Sequence, residues 1–224
     1  MRRVLVLRPE PGATVTADRA RQRGLNAVAL ALFKVEPLPW EVHDATAFDA
    51  LLLTSANAVR QGGAGLARLR HLPVHAVGNA TTEAARDAGF RVASTGTGGV
   101  DALLASLELN LRLLHLCGEH RTARTDAPQE VTSVIVYRSR EIAAPDMSIA
   151  QNAVALVHSP RAAQRFAELI DRAGVDRGAI AIVGISAAAV HAAGAGWEAV
   201  GAAGAPNDDA LLALAERLCN KRRP

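Results

Sequence analysis

Tyr137 is the only tyrosine in this 224-residue chain. It follows the apolar run Val134-Ile135-Val136, which places it at the end of a candidate strand. A phenol at such an edge can pass a proton or a hydrogen bond to a departing group. Covering the sheet edge would account for it as well, and on the residues alone that plainer role is favoured.

The other candidates for chemistry are turns of small polar residues that follow apolar runs. They are Arg8-Pro9, Thr54-Ser55-Ala56-Asn57, Gly78-Asn79-Ala80-Thr81-Thr82, Gly118-Glu119, Ser159-Pro160 and Gly184-Ile185-Ser186. In parallel α/β sheets ligands meet the carboxyl ends of strands, where helix N-termini present free N–H groups. Ser, Thr and Asn at such places also serve as helix caps, so most are expected to be caps and a minority to touch ligand as well. Gly78 and Gly184 recur at equivalent places and suit close backbone approach or a tight turn.

Other chemistries lack their fingerprints. Gly96-Thr97-Gly98-Gly99 resembles a phosphate loop, but Asp101 stands where the third glycine of G-x-G-x-x-G is needed. Neither G-x-x-x-x-G-K-[ST] nor G-x-S-x-G occurs. His115-Leu116-Cys117 with His120 is a local group of soft ligands, yet a metal site needs about three or four protein ligands and no partner set is visible. A strand end carrying a core cysteine is the expected reading there.

Positioning these turns requires strands and helices in alternation, and the chain supplies them. Strand candidates are Val4–Leu7, Asn26–Leu32, Ala50–Thr54, Val74–Val77, Arg91–Ala93, Leu113–Cys117, Ser133–Tyr137, Val154–His158, Ile180–Val183 and Ala199–Val200. Helical patterns cover Ala13–Arg23, Ala56–Leu69, Thr82–Ala88, Asp101–Leu107, Pro160–Ala173, Ala187–Ala193 and Asp208–Cys219. Apolar strands alternating with amphipathic helices argue for parallel sheets covered on both faces.

Composition narrows the class further. Half the residues are apolar but only 3% are aromatic, so the core is built from Ala, Val, Leu and Ile and offers few platforms for stacking bases. The net charge is +3, and nearly all the positive charge is Arg, with Lys only at Lys34 and Lys221. The arginines are scattered apart from the Lys221-Arg222-Arg223 tail, which reads as a solvated terminus. That excludes a nucleic-acid stripe and leaves an anionic small molecule open. Two cysteines cannot make a disulfide framework, and no apolar run approaches a membrane span or a signal peptide. A soluble, cytoplasmic protein is expected.

The chain also repeats itself. Phe48 to Thr54-Ser55, a helix, Val74 to Gly78, Gly89-Phe90 and Asp101-Ala102-Leu103-Leu104 form one copy. Ala153 to His158-Ser159, a helix, Ala181 to Gly184, Gly196-Trp197 and Asp209-Ala210-Leu211-Leu212 form the other. Two similar α/β modules follow. The N-terminal strands complete the second copy and Leu113–Tyr137 completes the first, so the chain crosses twice, near Val35–Pro39 and near Arg138–Pro145. The expected fold is α/β, with two parallel-sheet (flavodoxin-like) modules joined by two extended connectors and a ligand cleft between them. Residues 1–35 with 144–224 make one module and 38–138 the other.

Val4-Leu5-Val6-Leu7-Arg8-Pro9, Leu53-Thr54-Ser55-Ala56-Asn57-Ala58-Val59, Ala76-Val77-Gly78-Asn79-Ala80-Thr81, Val136-Tyr137-Arg138 and Val157-His158-Ser159-Pro160 follow one another at fitting spacing. In that order they resemble uroporphyrinogen-III synthases over nearly the whole chain. The resemblance implies a cofactor-free, metal-free lyase acting on hydroxymethylbilane, a linear tetrapyrrole with eight carboxylates, within heme biosynthesis. Ring A loses its hydroxyl, the substituted carbon of ring D attacks, and a spiro intermediate recloses with ring D inverted. It further implies Tyr137 as the group assisting hydroxyl loss. Thr54, Ser55, Gly78, Asn79, Ala80, Thr81, Ser159 and Ser186 would line the substrate site, and Arg8 would reach a carboxylate. A monomer without nucleic-acid or membrane partners is implied too. Two departures stand out: Ile185-Ser186-Ala187 where the family often has Pro-Thr-Thr, and a Gly118–Val131 stretch shorter than usual. The first motivates a second reading, a tetrapyrrole-binding or sensor module that has lost the reaction.

Overall fold

The computed structural model describes residues 2–120, 128–143 and 145–220. The expectation for Gly118–Val131 falls partly, and that for the Lys221-Arg222-Arg223 tail wholly, outside these residues. In chain order the elements are β1 (Arg3–Val6), α1 (Gly12–Gln22), β2 (Asn26–Ala29), β3 (Phe33–Pro37), β4 (Ala50–Leu53), α2 (Ala56–Gln61), β5 (Val74–Val77), α3 (Asn79–Asp87), β6 (Val92–Gly96), α4 (Gly99–Ala105), β7 (Arg112–Gly118), β8 (Glu130–Glu141), β9 (Val154–Val157), α5 (Pro160–Arg172), β10 (Ala181–Gly184), α6 (Ala187–His191), β11 (Ala199–Ala202) and α7 (Asp208–Asn220). No helix among them is long and apolar enough to cross a membrane. The chain divides into two compact units, Met1–Lys34 with Glu141–Pro224, and Val35–Arg140.

The first unit holds a five-stranded sheet ordered β11-β10-β9-β1-β2, all parallel. Its central strands read Val4-Leu5-Val6, Val154-Ala155-Leu156-Val157 and Ala181-Ile182-Val183, buried throughout, because both faces are covered. Leu5, Ala155, Val157 and Ile182 pack with Phe166, Ile170 and Ala189 of α5 and α6. Val4, Val6, Val154, Leu156 and Val183 pack with Ala13, Ala17, Leu211 and Leu212 of α1 and α7. Alternation along each strand thus feeds two separate layers.

The second unit holds six strands ordered β3-β8-β7-β4-β5-β6. From β8 to β6 every pairing is parallel. β3 runs against β8: Leu38 N–H donates to the Val136 carbonyl and Ile142 N–H to the Leu32 carbonyl, so one chain number rises as the other falls. The Glu36 carboxylate receives Arg138 and Arg140 across this pair. Asp49, ahead of β4, takes three N–H bonds from the backbone and guanidinium of Arg112 at the start of β7, and that arginine holds its carboxyl at about 2. Leu51 and Leu53 face α2 and α3, while Ala50 and Leu52 face α4.

The α/β class and parallel sheets agree with the sequence, and four local readings are corrected. The Ala56–Leu69 pattern is not one helix: α2 ends at Gln61, and a 3-10 helix covers Gly63–Leu69. The break lies at Gly62-Gly63, where Gly63 has φ +62°, a conformation that ends regular helix. α3 starts at Asn79 rather than Thr82, because Gly78 with φ +81° turns the chain straight from strand into helix. Residues 35–37, read only as part of an extended connector, form with Phe33 and Lys34 the strand β3 on the sheet edge, a position that tolerates Pro37. Finally β8 does not stop at Tyr137 but continues to Glu141, with β3 supplying its partner there.

Candidate active site

At the carboxyl edge of the second unit's sheet, Tyr137 and Ser55 come together, the Ser55 hydroxyl close enough to the phenol to influence its titration. A one-residue irregularity in the β7–β8 ladder brings this about. Cys117 pairs with Ile135, but the next residue, Gly118, pairs with Tyr137, so Val136 is the extra residue of a β-bulge. Strict alternation would send Tyr137 to the face opposite Val134 and Val136. Instead Val134, Val136 and Tyr137 all contact the same core layer, the one that α2 covers. Ser55 is the N-cap of that helix, its hydroxyl accepting the Asn57 N–H at 3.2 Å. Burial pushes the phenol above its ordinary value, partly offset by the neighbouring Ser55 hydroxyl. The raised value keeps the phenol in its protonated form.

Thr54, one residue earlier, points to the other side of the sheet. Its hydroxyl lies 3.0 Å from Nε2 of His115, whose Nδ1 is 3.4 Å from the Ser133 hydroxyl. Cys117, on the same strand face as His115, is buried and its thiol donates to the Val134 carbonyl at 3.4 Å. Among the described residues no group of three or more His, Cys, Asp or Glu is placed to hold a metal ion. Gly78 opens onto α3, where Asn79 and Ala80 are exposed while Thr81 is buried at 4%. A surface depression of ≈210 Å³ lies elsewhere in this unit, lined by residues such as Val42, Phe48, Leu114 and Val134, and none of the candidate residues borders it.

In the first unit the carboxyl edge carries Arg8, Ser159 and Ser186. Both serines cap helices: Ser159 accepts the Ala162 N–H of α5, and Ser186 the Ala189 N–H of α6. Arg8 belongs to a cluster that sequence reasoning missed. Asp208, the first residue of α7, accepts from Thr16 Oγ1 at 2.7 Å, from His158 Nε2 at 3.2 Å and from Arg8 Nη1 at 3.4 Å. Burial alone would raise the Asp208 carboxyl. The bonds from His158 and Thr16, with the Arg8 charge, outweigh it and hold the carboxyl well below the usual carboxylate range. Burial pushes His158 down, against the pull of Asp208, so the pair is a carboxylate and a neutral imidazole donating through Nε2. Among the described residues its buried Nδ1 has no partner in hydrogen-bonding geometry. Gly12 completes the cluster: a Cβ there would stand 2.6 Å from Arg8 Nε. No local pattern links positions 8, 12, 16, 158 and 208, so only the parallel ordering of β1 and β9 could have revealed it.

A family model described as uroporphyrinogen-III synthase HemD matches residues 14–213 of this chain. The chain belongs to the HemD uroporphyrinogen-III synthase family. Solved structures agree in fold. A uroporphyrinogen-III synthetase from Helicobacter pylori superposes with a TM-score of 0.67 at 19% identity, covering 97% of this chain and 100% of that one. A mutant uroporphyrinogen III synthase from the extremely thermophilic bacterium Thermus thermophilus gives a TM-score of 0.56 at 15% identity over 99% of this chain and 100% of that one. Among curated proteins none matches the sequence. HemD synthases act in tetrapyrrole biosynthesis as cyclising lyases, so the reaction class follows from the family.

Proposed function

We propose that this HemD-family chain closes hydroxymethylbilane to uroporphyrinogen III with Tyr137 as the proton donor. The observation that supports the assignment of roles is the Tyr137 ring at the carboxyl edge, turned there by the β7–β8 bulge and seated against the backbone of Gly118. Ring A loses its hydroxyl as water: the pyrrole nitrogen's electron pair drives out the C–O bond while the phenol protonates the departing oxygen. The azafulvene is then attacked by the substituted carbon of ring D. The spiro intermediate fragments and recloses with ring D inverted, and the proton lost on rearomatisation balances the one Tyr137 gave. No electron changes hands and no further reactant is consumed.

The substrate's carboxylates set the second requirement. In this reading the turns at each sheet's carboxyl edge receive them: Thr54, Ser55, Gly78, Asn79, Ala80 and Thr81 in one unit, Arg8, Ser159 and Ser186 in the other. Arginine suits this task because its planar fork matches a carboxylate. Holding a flexible chain with its ends in contact removes much of the entropic part of the barrier. It must also exclude direct closure without inversion, which proceeds in solution. The enzyme acts in this reading as a cytoplasmic monomer on a free small molecule. Its modules, 1–35 with 144–224 and 38–138, each supply one set of turns.

The deciding experiment supplies purified protein with freshly prepared hydroxymethylbilane and separates the product isomers. Type III product formed faster than the type I background is the expected result. Type I alone, at the rate of the blank, overturns the proposal, and tight uroporphyrinogen binding without turnover would make the chain a binding protein instead.

A further inference from the structure

We propose that Gly118 and the β-bulge facing it are a positioning device for the Tyr137 phenol, with Ser55 as the group that holds its hydroxyl. The inference rests on the reading of Tyr137 as proton donor and adds what aims it. Gly118 is buried at the end of β7 and lies directly under the aromatic ring. A Cβ built on it would stand 2.6 Å from Tyr137 Cζ, 2.7 Å from Cε2 and 2.9 Å from the phenolic oxygen. Its φ lies outside the left-handed range. Glycine is therefore required here for space and not for backbone conformation. The ring lies against bare backbone, and the smallest side chain would push its hydroxyl end away.

The bulge does the complementary half of the work. By inserting Val136, it turns Tyr137 from the α4 side of the sheet to the α2 side, where Ser55 waits. The Tyr137 carbonyl then accepts the Glu119 N–H at 2.9 Å, which fixes the backbone just past the bulge. Burying Val136 alone would need no bulge, since regular alternation already puts it on the α2 side with Val134. The residue whose direction the bulge changes is the tyrosine. Bulges commonly re-aim a side chain in this way.

Because the chain has a single tyrosine, protein grown with tyrosine isotope-labelled at Cζ gives one NMR resonance that reports this phenol alone. In Gly118→Ala the resonance is expected to move toward that of an exposed tyrosine, with kcat falling about tenfold or more and KM changing less than about twofold. Ser55→Ala should act in the same direction and Ser55→Thr, which restores a hydroxyl, should recover most of the rate. The serine pair decides the matter if Gly118→Ala does not fold. A Gly118→Ala protein with wild-type kcat, beside a Tyr137→Phe protein that is impaired, overturns the inference and leaves the proton-donor reading standing. Unimpaired Tyr137→Phe overturns both. Equal rates for Ser55→Ala and Ser55→Thr would remove Ser55 from the device and overturn the proposal as stated.

Discussion

In the proposed function two residues divide the chemistry between proton transfer and charge recognition, and each can be tested without disturbing the fold. Tyr137→Phe keeps the ring that packs on the α2 layer and removes only the hydroxyl. Turnover is expected to fall by about a hundredfold, the usual weight of a positioned acid, while the melting temperature stays put. An unchanged kcat would leave Tyr137 a packing residue. Gly12→Ala probes Arg8 from the other direction. Alanine at this first residue of α1 would ordinarily stabilise by about 0.4–1 kcal/mol through the unfolded state, but its methyl displaces the Arg8 guanidinium. The expected outcome is a KM raised about fivefold in steady-state assays at unchanged or higher melting temperature. A KM equal to wild type would show that the placement of Arg8 is immaterial to binding.

At the scale of the element, the serines proposed to face ligand begin helices. Ser55, Ser159 and Ser186 each accept an N–H from the first turn of the helix they start. Capping and binding can be separated at Ser159, whose helix is the long α5. Ser159→Ala should cost about 1 kcal/mol of stability. Ser159→Asp keeps a capping oxygen and suits the positive end of the helix dipole, so its stability should match wild type. Placing an anion where the proposed function docks substrate carboxylates should nevertheless raise KM about tenfold. Wild-type KM in the aspartate variant would make Ser159 a cap and nothing more. Elements were also where sequence reading strayed most. The Ala- and Arg-rich pattern over 56–69 hides its break because Gly62-Gly63 is a weak local signal until Gly63 adopts φ +62°. The reach of β8 to Glu141 depends on a neighbour, β3, whose Phe33-Lys34-Val35-Glu36-Pro37 carries no clear alternation of its own.

For the whole molecule, acid is the informative stress, because each unit holds a buried or half-buried histidine below its ordinary value. His158 in the first unit and His75 in the second are both depressed by burial first, His75 further by the charge of Arg91. A lowered folded value means that the unfolded chain takes up the proton first. Stability is then complete above the unfolded value of about 6.5 and is lost as the pH falls toward the folded values. Asp49, held at about 2 by Arg112, adds a second loss as the pH drops below the ordinary aspartate value of about 3.9. Thermal melts between pH 8 and 5 should show the melting temperature falling below about pH 6.5, with a shallower fall in His158→Gln. A melting temperature that holds constant or rises over that range would sink the account.

Periodicity and repetition settled the class of fold, since strand and helix periods are local and the repeated Ser and Gly turns recur in one chain. The order of the motifs marked the family, and the turn residues were visible because strand ends in parallel sheets have few other places for Ser, Thr and Asn. Side-chain direction was beyond reach. Thr54 and Ser55 are neighbours in sequence yet serve opposite faces, and Tyr137 meets Ser55 only because one residue is inserted across from Gly118. Arg8 meets Asp208 only because parallel strands align chain segments far apart in sequence. Register and long-range pairing are properties of the assembled sheets, so the tertiary structure alone decided which of the legible residues face one another.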